Sequence, residues 1–67
     1  MQITLNNRIE FIDAEEISFS ELMALKNYTF RMLVTKLNNQ LVKKEFRDTT
    51  FIKDGDNVSV MHLVSGG

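Results

Sequence analysis

The sequence predicts an α+β fold, a mixed sheet of four to five strands with one main helix packed across it. Three observations carry this expectation. Apolar residues recur at period two near the N-terminus, as Ile3/Leu5 and Ile9/Phe11, the spacing of half-buried strands. A single, sharply marked helix start follows at Ser18 and Glu21. Strand-like runs then resume, punctuated by Asn38-Asn39 and Asp54-Gly55-Asp56, both of them turn-forming groups. The chain has 67 residues, enough for one domain and one core. It has no cysteine, which removes a disulfide framework, a thiolate metal site and a cysteine nucleophile together. A hydrophobic content of 43% must therefore hold the fold.

Each element has its own warrant. Residues 2–5 and 8–11 form a hairpin around Asn6-Asn7, because asparagine tolerates the left-handed backbone of a tight turn. Residues 12–17 read as a polar loop. Ser18 followed by Glu21 is a capping box, and Ile17 with Leu22 is the matching hydrophobic staple. Leu22, Leu25 and Phe19 or Met23 then make an apolar stripe that ends near Lys26 and Asn27. So short a helix needs a sheet to dock on. Residues 32–37 form the next strand, Asn38-Asn39 turns it, and Leu41-Val42 returns. Residues 43–48 are expected to be a loop or single helical turn anchored by Phe46, after which Phe51-Ile52 re-enters the core. The Asp54-Gly55-Asp56 turn leads into a last strand over residues 57–64. Val58, Val60 and Val64 share one face of it, Met61 and Leu63 the other. The four Met and five Phe are expected mostly in the core. A hairpin, a helical crossover and a late strand in this order are the β-grasp arrangement. Residues 1–64 would then be the domain and residues 65–67 a flexible C-terminal tail.

Charge and composition narrow the function. The net charge is −1, which argues against nucleic-acid binding. No apolar run approaches a membrane span and no export signal is visible, so a cytoplasmic protein is expected. Residues 1–25 carry a balance of −4 and residues 26–53 a balance of +5. This is either an ordinary solvated surface or two faces of opposite sign that orient protein partners.

The chain ends Ser65-Gly66-Gly67. With glycine at about 7% of residues, two at the end arise by chance in roughly one chain in two hundred. Glycine has no Cβ and can pass a narrow channel, so Ser65 and Gly66 could thread a partner's channel and present the Gly67 carboxylate for activation. Other candidate chemistry is thinner. His62 is a lone histidine on the last strand, read as a surface or interface residue. Glu15-Glu16 are adjacent and do not converge on a common substrate. Met61 could meet a partner, since methionine adapts to irregular surfaces. No catalytic residue and no metal ligand set is expected.

Three segments resemble the ThiS family of thiamine biosynthesis sulfur carriers, which are ubiquitin-like β-grasp proteins. They are Leu37-Asn38-Asn39-Gln40-Leu41-Val42, then Asp54-Gly55-Asp56-Asn57-Val58, then Val64-Ser65-Gly66-Gly67. The chain departs from that family's common pattern at Lys43-Lys44, where many members have proline and arginine, and at Phe46, near which many have tryptophan. The resemblance implies a carrier and not an enzyme, with no bound cofactor. A ThiF-like adenylating enzyme would use ATP to activate the C-terminal diglycine at Gly67. Sulfur from a cysteine desulfurase pathway would then convert it to a thiocarboxylate, for delivery to a ThiG-like thiazole synthase. Met61, His62 and Leu63 would lie at the partner surface beside the tail. Two alternatives stay open at this point: a carrier of the molybdopterin-synthase small-subunit type, or a non-conjugated β-grasp interaction module.

Overall fold

The computed structural model describes residues 1–28 and 32–62. Strands β1 (Gln2–Leu5) and β2 (Arg8–Phe11) form the N-terminal hairpin. A short β3 (Glu16–Ser18) leads directly into helix α1 (Phe19–Leu25). Strands β4 (Leu33–Leu37) and β5 (Gln40–Val42) make the second hairpin. A 3₁₀ turn at Lys44–Phe46, β6 (Phe51–Lys53) and β7 (Asn57–His62) complete the order. Among the described residues the main sheet runs β2-β1-β7-β4-β5, while β3 and β6 pair separately. β7 is parallel to β1 and antiparallel to β4. This is the expected mixed sheet with one helix.

The turns follow from their residues. Asn6 and Asn7 have φ of 50° and 67°, Asn38 and Asn39 of 50° and 70°. Both pairs thus take the left-handed values of type I′ turns, whose twist matches the flanking strands. Gly55, at φ 87°, occupies a conformation that costs a residue with a Cβ. The helix start is a complete capping box: the Glu21 N–H donates to Ser18 Oγ (3.0 Å) and the Ser18 N–H donates to Glu21 Oε1 (2.9 Å). The helix stops at Asn27, φ 59°. There the Asn27 N–H donates to the Ala24 carbonyl and the Tyr28 N–H to that of Met23, the paired bonds of a Schellman motif.

The core joins Ile3 and Leu5 of β1, Phe19, Leu22 and Met23 of α1, Val42, Ile52, Val58 and Val60. Among the described residues its one fully buried polar side chain is Thr35, whose hydroxyl donates to the Val42 carbonyl (2.6 Å) and accepts from Arg47 Nε (3.1 Å). A second Arg47 nitrogen donates to the Leu33 carbonyl (2.8 Å).

Four expectations are corrected. Residues 12–17 are not all loop, because Glu16 and Ile17 belong to β3 and pair with Lys53 and Ile52. Leu25 is exposed, since the buried stripe runs through Phe19, Leu22 and Met23 and a helical step turns Leu25 off its flank. Phe46 does not anchor its segment: it is exposed, and Arg47 holds the turn instead. In β6 only the central Ile52 points inward, so Phe51 is exposed, as is Phe11 on the edge strand β2. Phe19 is thus the one buried phenylalanine among the described residues. The expected tail at residues 65–67, and residues 63 and 64 of the last strand, lie outside the described residues.

Candidate functional site

The strand that leads to the C-terminus is the centre of the main sheet. On the helix side, β7 contributes Val58 and Val60, 0% and 5% exposed. Alternation turns Asn57, Ser59 and Met61 to the other side. Cross-strand register extends that open face. Thr4 stands opposite Ile9, Gln2 opposite Phe11, Val34 opposite Met61, and Lys36 opposite both Ser59 and Leu41. Ile9, Phe11, Leu41 and Met61 are all exposed. The open face is therefore apolar at three places and carries Lys36 near its centre. Lys43 and Lys44, both exposed, follow Leu41 at the sheet's edge.

Two asparagines from the turns hold β7 along its length. Asn38 Oδ1 accepts from the Asn57 N–H (2.8 Å), and Asn38 Nδ2 donates to Asp56 Oδ1 (3.1 Å). Asn6 Oδ1 accepts from the Val60 N–H (2.9 Å), and Asn6 Nδ2 donates to the Val60 carbonyl (3.1 Å). Beside Met61, a shallow groove of about 420 Å³ runs over β7 between Asn6-Asn7 and Asn39. On the helix side, Lys26 pairs with Glu10 and ties the end of α1 to β2.

Among the described residues no His, Cys, Asp and Glu group could hold a metal ion, and no helix is long and apolar enough to cross a membrane. The described geometry is that of an apolar, partly basic open face on the sheet beside the C-terminal end of β7.

The ThiS family model matches residues 2–67. The chain belongs to the ThiS family. Its fold has solved relatives. The crystal structure of the thiamine biosynthesis protein ThiS from Geobacter metallireducens is 33% identical, with a TM-score of 0.88 and 100% of each chain covered. An NMR solution structure of a thiamine biosynthesis protein from the same organism is 28% identical, with a TM-score of 0.76, covering 100% of this chain and 88% of that one. No curated protein matches the sequence.

Within this ThiS-family chain the expected site residues fall into two groups. Ser65, Gly66, Gly67 and Leu63 lie outside the described residues. Met61 is exposed on the open face, as the alternation with Val58 and Val60 requires. His62 is also exposed but lies on the other side of the strand, opposite Leu33. Met61 and His62 are neighbours in sequence and do not share a face. At Lys43 the backbone has φ −68°, an angle that a proline would also take. Sequence reasoning missed Val34 and Leu41 as parts of the open face, and it missed the side-chain role of Asn6. Alternation in residues 32–37 and 40–42 held the signal for the first two. Asn6 had none beyond its turn.

Proposed function

We propose that this chain is a sulfur carrier of thiamine biosynthesis that works through the carboxylate of Gly67. The observation that carries the reading is the family match, which runs through the terminal Gly66-Gly67. The β-grasp domain is the handle and the tail is the working part. A carboxylate is a poor electrophile because its leaving group would be an oxide. In the proposed cycle, a Gly67 carboxylate oxygen attacks the α-phosphorus of ATP in a ThiF-like enzyme and pyrophosphate departs. A persulfide from a cysteine desulfurase pathway then attacks the carbonyl carbon and AMP departs, giving an acyl disulfide; a second thiol attacks the carrier's sulfur, the S–S bond breaks, and the thiocarboxylate leaves as a disulfide forms behind it. That sulfur passes to a ThiG-like thiazole synthase. The chain itself catalyses none of these steps. Met61 and its neighbours on the open face hold the domain against the enzyme while Ser65 and Gly66 thread its channel.

The test is ATP–pyrophosphate exchange with a ThiF-like enzyme, followed by intact mass after addition of a desulfurase, cysteine and a thiol reductant. The full chain should support exchange and gain the mass of one oxygen replaced by sulfur. Deletion of Gly67 should abolish both while thermal unfolding stays unchanged. Normal exchange by the truncated chain would exclude the reading.

A further inference from the structure

The side chain of Asn6 performs a task that its place in a turn does not require. Strand β1 ends at Leu5, opposite Val58. The Asn6 N–H still donates to the Val58 carbonyl (2.9 Å), and the chain then bends away through Asn6 and Asn7 at positive φ. On the β1 side, the pairing stops at Val58, and among the described residues no loop backbone group bonds to Val60. The Asn6 carboxamide takes that place, accepting from the Val60 N–H and donating to the Val60 carbonyl. A primary amide has the same donor and acceptor as a peptide group, so the side chain adds one rung to the ladder. Beyond Val60, β7 pairs with β4 through Val34–Met61 and Leu33–His62. Val60 lies seven positions before Gly67.

We propose that Asn6 is a positioning residue for the C-terminal arm. By splinting β7 at Val60 it fixes the strand end that carries residues 63–67, and so the place the Gly67 carboxylate reaches when the domain is docked. This rests on the carrier function proposed above and adds a residue far from the tail in sequence. The physical reason is effective concentration: an arm leaving from a frayed strand end samples more directions, and fewer of them place the carboxylate at the nucleotide.

The structure supplies its own control. Asn38 has the same residue type and turn position, and clips the same strand, but at its start. Glycine keeps the positive φ at either site and removes only the side-chain bonds. Asn6→Gly and Asn38→Gly should therefore both lower the melting temperature. Only Asn6→Gly should speed amide exchange at Met61 and His62, and only it should lower kcat for ATP–pyrophosphate exchange with a ThiF-like enzyme, by about tenfold with a smaller change in KM. Asn6→Asp, which keeps the acceptor for the Val60 N–H and loses the donor, should fall between. Equal kinetic losses in the two glycine variants would make Asn6 merely structural and overturn the proposal, as would unchanged exchange at Met61 and His62 in Asn6→Gly. If the unmodified chain is not adenylated at all, the carrier reading fails, and the amide-exchange comparison still decides whether Asn6 holds the strand end.

Discussion

At Met61 the side chain is 59% exposed and stands on the face opposite Val58 and Val60, so an aspartate there meets water and not the core. Met61→Asp should cost less than about 1 kcal/mol of stability. It should weaken binding to an adenylating enzyme about tenfold or more, because a charge is buried against an apolar contact. Isothermal titration and a melting curve on the same preparation measure both. Unfolding by this one substitution would mean that the side chain supports the core. Sequence reasoning placed Met61 correctly because strand alternation is strict and Val58 and Val60 fix its phase. The same reasoning misjudged Phe11, Phe46 and Phe51. Their hydrophobicity says that they gain from burial, but an edge strand, a surface 3₁₀ turn and a three-residue strand have too little covered surface to bury them. The Asn6 carboxamide was illegible for another reason: its partner lies 54 positions away, and no local pattern encodes that.

Among the elements, α1 shows how local signals can specify a short helix. Seven residues are too few to be helical alone, yet both ends are closed by side-chain or left-handed caps and one face is buried. Ser18→Ala removes the hydroxyl that accepts from the Glu21 N–H. A loss of about 1 kcal/mol is expected, lowering the melting temperature by about 4–8 °C in a domain of this size. Adenylation kinetics, measured where both forms are folded, should stay the same. The other half of the box is titratable. The Ser18 backbone N–H, and then its hydroxyl, hold the Glu21 carboxyl below its ordinary value of 4.5. A carboxyl whose pKa is lowered by folding stabilises the fold above its unfolded value and loses that contribution as pH falls through the folded one. Glu21→Gln keeps an acceptor for the Ser18 N–H and cannot titrate. Melting curves from neutral pH to about pH 3 should show the parent's advantage over Glu21→Gln shrinking below about 4.5; a constant difference would remove the charge from the cap's action. The capping box was legible because its two residues are three apart. β3 was not, because its partner β6 lies beyond the helix and the second hairpin.

For the molecule as a whole, charge and topology act over longer distances. Three exposed lysines lie on or just after the second hairpin: Lys36 opposite Leu41 on the open face, then Lys43 and Lys44 after β5. Such positive charge speeds encounter with an acidic surface and is screened by salt. The association rate with an adenylating enzyme should fall as salt rises, and Lys43→Glu with Lys44→Glu should flatten that dependence while leaving dissociation largely unchanged. Stopped-flow mixing at several salt concentrations measures it, and a salt-independent rate would remove these lysines from steering. The strand order has a different consequence. β1 and β4 both pair with β7, so the first and second hairpins meet only through a strand made after both. On the ribosome, a nascent chain that has not reached residue 57 holds two hairpins with an empty place between them. The sheet cannot close during most of translation. Folding waits for the synthesis of β7, and an abortive product lacking it leaves the edges of β1 and β4 unpaired and Ile3, Leu5 and Phe19 short of a core partner, an aggregation-prone state.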